Sequence, residues 1–297
     1  HGLKPTVLRH ACGEGRLRAG SLEVVSAPIV AVIGGGQLAR MMQEEASALG
    51  IHLRALVEAA DGSTGQVTPD ALVGAADDEA AVRAVVAGDG TQGSGGEQAA
   101  VVTFEHEHQD ASLLERLQAE GVSVQPAPQA LELARDKLAM RRAMSQAGLP
   151  QPAWAEVGGP GQETAEQMAD AVEAFAVEHG WPVVLKTPRG GYDGHGVLLV
   201  RSAESLHEGE AAEWLVSVAR ARAGQGDGRG TGGGGSLGGA AVTSLLVEQA
   251  IPFTRELAVL LARRPSGQIA VWPVAQTVQD DGMCAEVLAP APGLDSV

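Results

Sequence analysis

Ile29-Val30-Ala31-Val32-Ile33-Gly34-Gly35-Gly36-Gln37-Leu38-Ala39-Arg40-Met41 is a five-residue apolar run that passes directly into three glycines and then into helix formers. An apolar run of that length fits a strand buried on both faces. Glycine after such a strand lets the chain turn sharply, and Gly50 stands where a helix over Gln37–Leu49 would stop. His52–Val57 supplies a second strand. Shorter apolar runs at Ala71–Val73, Ala100–Phe104 and Val122–Val124 alternate with helical patterns over Asp78–Val86 and Ala111–Glu120. Regular alternation of strand and helix predicts a parallel α/β domain over 29–126.

Pro126 and Pro128 mark the end of that domain, and residues 127–297 read as a second one. Helices are expected over Gln129–Ala147, Glu163–His179 and Ser202–Ala221, with strands at Val183–Thr187 and Val197–Val200. Gly224–Gly239 holds ten glycines in sixteen residues, a low-complexity insertion that cannot repay its ordering entropy. Gly88–Gly96 is a shorter tract of the same kind. Beyond the insertion, Ser244–Gln249, Glu256–Arg263 and Gln268–Val274 are strand-like, and Arg264-Pro265-Ser266-Gly267 is a hairpin turn, so this part should be antiparallel. No closing element follows toward Val297, and the chain reads as cut short. Residues 1–28 carry Lys4, Arg9, Arg16 and Arg18 against Glu14 and Glu23 without apolar periodicity. They read either as the remnant of a transit peptide, which would place the protein in a plastid, or as a plain extension of a cytoplasmic one.

The full chain has 297 residues, consistent with about two domains. Its net charge of −16 disfavours phosphate backbones and anionic membranes as partners. No apolar run reaches the roughly 18 residues of a membrane helix. Cys12 and Cys284 are too few for a disulfide framework, and Cys284 is expected to be a buried thiol. Trp154, Trp181, Trp214 and Trp272 read as core or half-buried packing residues. Asn is absent, Tyr192 is the only tyrosine, and Lys4, Lys137 and Lys186 are the only lysines. Two of those lysines and the tyrosine fall within the motifs below.

Gly34-x-Gly36-x-x-Ala39 lies between a strand and a helix, where glycines let an anion approach free N–H groups. Glu58 at the end of the second strand is where a dinucleotide site would place its ribose-binding acid. Val183-Val184-Leu185-Lys186 is an apolar strand ending in Lys, followed by Arg189-Gly190-Gly191-Tyr192-Asp193-Gly194-His195-Gly196, with four glycines in the seven residues from Gly190 to Gly196. A fixed cation beside a flexible donor loop suits nucleotide phosphates. Glu248-Gln249-Ala250-Ile251 can offer backbone groups to a base, and Glu256 a carboxylate to ribose hydroxyls. In the Glu105-His106-Glu107-His108 run, alternation puts the histidines on one strand face and the acids on the other, so no metal site is expected there.

Taken in order, these motifs resemble the ATP-grasp superfamily, and within it the carboxyaminoimidazole ribonucleotide synthases, the ATPase subunit of phosphoribosylaminoimidazole carboxylase. The resemblance rests on Gly34-Gly35-Gly36-Gln37-Leu38-Ala39-Arg40-Met41, Val102-Thr103-Phe104-Glu105-His106-Glu107, Asp136-Lys137-Leu138, Lys186 with Gly190-Gly191-Tyr192-Asp193-Gly194, Glu248-Gln249 with Glu256, and Asp280-Asp281-Gly282. It implies a Rossmann-like pre-ATP-grasp domain followed by an α+β ATP-grasp domain whose C-terminal part is missing. It also implies an ATP-dependent carbon–nitrogen ligase of purine biosynthesis, in which bicarbonate is activated as carboxyphosphate and captured by the amine of aminoimidazole ribonucleotide. By that resemblance Lys137 and Lys186 contact ATP phosphates, with Gly191, Gly194, His195 and Gly196 in the loop closing over them. Glu248, Gln249, Ala250 and Ile251 hold adenine, Glu256 the ribose, and Gln279 stands where the family has a nucleotide-binding His. Tyr192 and Asp193 face the ribonucleotide as catalytic residues, and Gly34, Gly35, Gly36, Gln37, Glu105 and Glu107 surround its phosphate and sugar.

The sequence departs from the family at Gln276-Thr277-Val278-Gln279, where a Glu-Asn pair and the His are expected, and at Ala39, usually Gly. The Mg2+ ligands are expected past the end of this chain, which as written is expected to be inactive or nearly so. A homodimer and a fused or partner mutase domain are further implications. Two rival readings are a non-catalytic ATP-grasp-like binding module and, on Gly34–Ala39 with Glu58, a nicotinamide-dependent dehydrogenase.

Overall fold

Five apolar residues at 29–33 need burial on both faces of a sheet, which calls for helices packed against it, as Val32 packs against Ala39 and Ala46. The computed structural model describes residues 27–89, 96–191, 195–224, 242–280 and 282–294. Strands β1 (Ile29–Ile33), β2 (His52–Val57), β3 (Ala71–Val73) and β4 (Val101–Phe104) form a parallel sheet in the order β3-β2-β1-β4. Helices α1 (Gln37–Leu49) and α2 (Glu79–Ala87) connect them. Ala31, Val32, Ile33, Ala55, Leu56 and Val57 are essentially inaccessible, as expected for central parallel strands. Gly50 ends α1 in the left-handed conformation (φ 68°), and Asp78 caps α2 through the N–H groups of Ala80 and Ala81. In register, Ile33 lies beside Leu56 on one side and Phe104 on the other, so Gly34 and Glu105 leave the sheet at the same edge.

The second compact unit begins at His106. It contains α3 (Ala111–Ala119), α4 (Pro128–Arg135), α5 (Lys137–Gln146), β5 (Trp154–Val157), α6 (Ala165–His179), β6 (Val183–Lys186), β7 (Val197–Val200), a 3-10 turn (Ala203–Leu206), α7 (Glu210–Arg222) and β8 (Leu245–Gln249). The four strands form an antiparallel sheet in the order β5-β8-β6-β7. One face packs against α6 and α7 through Val183, Leu185, Leu245, Val247, Met168, Val172, Trp214 and Leu215. Thr164 and Gln167 build a capping box that starts α6.

Several sequence expectations are corrected here. Gln129–Ala147 is two helices, broken at Asp136, whose extended backbone (φ −122°, ψ 108°) ends α4 while its carboxylate caps α5. Ser202–Ala221 is a 3-10 turn and a helix, because Gly209 between them takes φ 82°. Val122–Val124 contributes a single bridge residue, Val124. The four-residue edge strand β5 had no apolar run to reveal it. Glu256–Arg263 changes partners midway: β9 (Glu256–Ala258) pairs with β12 (Ala275–Asp280), whereas β10 (Leu261–Arg263) forms a hairpin with β11 (Ile269–Val271) across Arg264–Gly267. The stretch toward the C-terminus also carries regular structure, since β12 pairs with β13 (Met283–Leu288) to complete the sheet β13-β12-β9. Trp272 is half exposed and Cys284 exposed, because β11 and β13 have few neighbours among the described residues.

No helix among the described residues is long and apolar enough to cross a membrane.

Candidate active site

The antiparallel sheet decides where Lys186 points. Along β6, Val183 and Leu185 face the helical core, so alternation sends Val184 and Lys186 to the opposite face. Val184 pairs with Glu248 and Lys186 with Leu246, which makes Glu248 the diagonal neighbour of Lys186 on that face. Lys186 Nζ donates to Glu248 Oε2 at 2.6 Å. The other oxygen, Oε1, accepts from Arg141 Nε at 2.6 Å. Burial alone would raise the Glu248 pKa, but the hydrogen bonds from Arg141 and Lys186, with their charges, hold it below the ordinary carboxylate value.

Helix α5 brings in the second lysine. Asp136 Oδ1 accepts from the Ala139 N–H at 3.0 Å and fixes the start of the helix. Lys137 and Arg141, four residues apart, share one face of it. The Lys137 N–H donates to Pro188 O at 2.8 Å, and its Nζ donates to Gly190 O at 2.9 Å. Arg189 reaches back to Asp136 Oδ2 at 2.9 Å and also pairs with Glu132. The base of the glycine loop is thus tied to the α4–α5 junction, and the Thr187 N–H closes it on Gly196 O at 3.0 Å. A Cβ at Gly191 would stand 2.6 Å from His195 O, and one at Gly196 2.5 Å from Thr187 Oγ1, so these positions accept only glycine. Burial, then the neighbouring Lys186 cation, hold the Lys137 ammonium below the ordinary lysine value, against the opposing pull of Asp136 and Glu248.

Lys137, Lys186, Glu248, Gly191 and Gly196 are therefore brought together, with His195 exposed beside them. Tyr192, Asp193 and Gly194 lie outside the described residues, as does Asp281. Gln249 continues β8 and donates its N–H to Ala153 O at 2.9 Å. Ala250 and the half-exposed Ile251 follow without regular secondary structure, and Ile251 O accepts from the Phe253 N–H at 2.9 Å. Glu256 and Gln279 belong to the other antiparallel sheet, where Glu256 pairs with Thr277 and Gln279 with Cys284. Among the described residues no hydrogen bond or ion pair joins those two to Lys137, Lys186 or Glu248. Sequence reasoning missed Arg141 and gave Arg189 and Asp136, quoted within the motifs, no role of their own; the four-residue spacing of Lys137 and Arg141 was the available signal for the first.

In the first unit, the free N–H groups at the start of α1 meet an internal anion. Glu105 accepts from the N–H groups of Gly36 at 2.7 Å, Leu38 at 3.0 Å and Ala39 at 3.5 Å. A Cβ at Gly34 would lie 2.7 Å from Glu105 Cβ, and one at Gly36 2.4 Å from its Oε1, so the glycines make room for this carboxylate. Gly35 packs equally tightly on Val57, while Gln37 accepts from Ser63 Oγ at 3.2 Å. Glu105 does for α1 what an N-cap does, with a full charge at the positive end of the dipole. Glu105→Ala should therefore lower the unfolding free energy by about 1–2 kcal/mol. Urea denaturation measures it, and an unmoved midpoint would remove the capping role. Glu107, half exposed in the second unit, lies 3.5 Å from His108 Nε2, and Glu58 is exposed at the end of β2.

Residues 142–297 match the family model of the ATP-grasp domain, and residues 28–135 that of the ribonucleotide synthetase preATP-grasp domain. The chain is 43% identical over 268 residues to the N5-carboxyaminoimidazole ribonucleotide synthase of Mycobacterium tuberculosis, covering 90% of this chain and 52% of that protein. It is 35% identical over 262 residues to the synthase of the same name from Synechococcus elongatus, covering 88% and 55%. Its fold is similar to an N5-carboxyaminoimidazole ribonucleotide synthetase solved as an ADP complex, with a TM-score of 0.68, 27% identity, and coverage of 91% and 59%. An ATP complex of the carboxyaminoimidazole ribonucleotide synthase from Aspergillus clavatus gives a TM-score of 0.66, 26% identity, and coverage of 91% and 59%. The chain thus spans about half the length of the curated relatives it matches. With the two family models matched in chain order, and with residues 142–297 alone making up more than half of the length, the chain belongs to the ATP-grasp family.

Proposed function

We propose that this chain serves the ATP-dependent carboxylation of aminoimidazole ribonucleotide, with bicarbonate as the carbon source and carboxyphosphate as the intermediate. The observation that carries the reading is the convergence of Lys137 and Lys186 on the base of the Gly190–Gly196 loop. In the proposed reaction a bicarbonate oxygen attacks the γ-phosphorus of ATP and ADP leaves. The ribonucleotide amine then attacks the carboxyl carbon of carboxyphosphate, phosphate leaves, and the amine proton is lost. The chain's share is placement and charge: two ammonium groups and the loop N–H groups around the moving phosphoryl. Glu248–Ile251 is the proposed adenine edge, Glu256 and Gln279 the proposed flank of the ribose, and Tyr192 and Asp193 the proposed contacts to the ribonucleotide. Gly34–Gln37 with Glu105 and Glu107 are proposed for its phosphate and sugar, which requires the Glu105 carboxylate to leave the α1 N–H groups when that phosphate enters. Among the described residues no three His, Cys, Asp or Glu side chains group to hold a metal ion.

The test is calorimetric titration of the chain with ATP, together with an assay of ADP formation in the presence of bicarbonate and aminoimidazole ribonucleotide. Expected are ATP binding and ADP release that requires both co-substrates. ATP binding without such release would favour the non-catalytic module, for which Gln276–Gln279 is the supporting feature. Failure to bind ATP would overturn both. Preferential binding of NAD would instead favour the dehydrogenase reading.

Lys137 gives this proposal a pH signature. Below its lowered folded value the partly buried ammonium costs stability, and that cost disappears as pH rises from the folded value to the ordinary 10.5. The same deprotonation removes a phosphate anchor. ATP affinity should therefore fall with rising pH before the ordinary lysine range is reached, and Lys137→Arg should abolish that alkaline loss. An identical pH profile for both proteins would refute it.

A further inference from the structure

Glu248 has two cationic partners and one negative charge. Its side chain is 4% exposed, that of Arg141 12%, and that of Lys186 25%. The carboxylate and guanidinium therefore lie beneath, and the ammonium is the group that reaches toward solvent. Arg141 comes from α5, one turn after Lys137, and its backbone carbonyl accepts from Gln151 Nε2 at 3.3 Å, which holds this turn of the helix toward the segment before β5. Without Arg141, Lys137 and Lys186 would exceed the Glu248 charge by only one, and the carboxylate would bear on Lys186 alone. With Arg141 on the other oxygen, Lys137, Lys186 and Arg141 together outnumber the single carboxylate, and the surplus charge resides on the two lysines beside the loop.

We infer that Arg141 is a positioning residue for anion binding: by occupying Oε1 of Glu248 it neutralises that carboxylate, and so keeps the charge of Lys186 available to the phosphates of a bound nucleotide. This rests on the nucleotide reading of the site above. Arg141 itself does not touch the ligand in this scheme, and it acts only through Glu248. A guanidinium suits the task, because it stays charged when buried and is less strongly hydrated than an ammonium.

The probe is inorganic tripolyphosphate, titrated calorimetrically into the chain at low ionic strength alongside ATP. It reports the phosphate positions without any contribution from adenine, which Glu248 would also flank. Arg141→Met should weaken tripolyphosphate binding by roughly tenfold, the scale of one partly screened charge close to the ligand. Arg141→Lys should stay within about threefold of wild type, because it keeps a cation on Glu248. The decisive variant is Arg141→Met combined with Glu248→Gln, which removes the guanidinium and the charge it neutralises. Binding should return to within about threefold of wild type, so the two substitutions are strongly non-additive. Because the second substitution would also rescue stability, binding is compared at a temperature where the thermal transitions show every variant folded, so that the charge left on Glu248 is what distinguishes them. The inference is overturned if Arg141→Met binds tripolyphosphate like wild type, or if the double variant stays as weak as Arg141→Met. Should Arg141→Met fail to fold by its thermal transition, Arg141→Gln takes its place, with the same roughly tenfold loss expected and the same results overturning the inference. Wild-type chain that bound tripolyphosphate but not ATP would overturn the nucleotide reading alone, with the Arg141 comparison still measurable. Binding of neither would overturn both.

Discussion

A chain carrying Lys186→Met should bind ATP roughly 100-fold more weakly than the wild type, the largest loss expected from any single side chain in the second unit. Lys186 ends the central strand β6, and β8 on one side and β7 on the other hold its backbone. Its ammonium therefore has a fixed origin and needs little ordering to meet a phosphate. A charge-assisted hydrogen bond contributes about 1.5–3 kcal/mol, which by itself corresponds to about 10–100-fold. The substitution also halves the positive surplus around Glu248. It leaves that buried carboxylate with Arg141 as its described partner, so the fold is expected to survive. Lys186→Arg should recover only part of the affinity, since a planar fork replaces a compact point charge. Calorimetry with ATP on folded protein decides the matter, and wild-type affinity in Lys186→Met would remove Lys186 from the site.

Why Lys186 was legible in the sequence and Arg141 was not is a matter of range. Lys186 is one of three lysines, stands at the end of an apolar strand and precedes a glycine loop, so every clue lies within a dozen residues. Arg141 is one of eighteen arginines, and its partner Glu248 lies 107 residues away in sequence. The pairing of β6 with β8 sets Lys186 beside Glu248, and Arg141 reaches the other oxygen from α5. The same distinction separates the elements read well from those read poorly. Strand β1, the glycines and α1 are specified by apolar run, turn and stop signal in sequence. The break at Asp136 falls within a continuous helical pattern and is maintained by Arg189, 53 residues away. Strands β9 to β13 were blurred because a single apolar run pairs first with β12 and then with β11, a switch that local periodicity cannot encode. Glu105 was noticed as an acid near a ribonucleotide, but its grip on the α1 N–H groups depends on β4 lying beside β1.

The largest stability effect should come from Arg54→Met, at about 3–5 kcal/mol. His52–Val57 reads as an apolar strand, yet Arg54 within it is completely buried, as is Asp70 just before β3. Arg54 Nε lies 3.1 Å from Asp70 Oδ2, one terminal nitrogen donates to Val85 O at 3.0 Å, and the other donates to Glu97 O at 2.7 Å. One guanidinium therefore joins the central sheet, the last turn of α2 and the segment leading into β4. Its charge also sits at the negative end of the α2 dipole. Removing it leaves a buried carboxylate with His52 Nε2, at 2.8 Å from Asp70 Oδ2, as a remaining contact, and deprives two carbonyls of a donor. Leaving one partner of a buried pair behind costs far more than the pair itself contributes. Accordingly Arg54→Met combined with Asp70→Leu should recover much of the loss, because no isolated charge then remains inside. Urea denaturation of the wild type, the two single variants and the double variant forms the cycle that measures this coupling. A loss below about 1 kcal/mol in Arg54→Met, or simple additivity in the double variant, would show that the cluster is held by something other than its charge pairing.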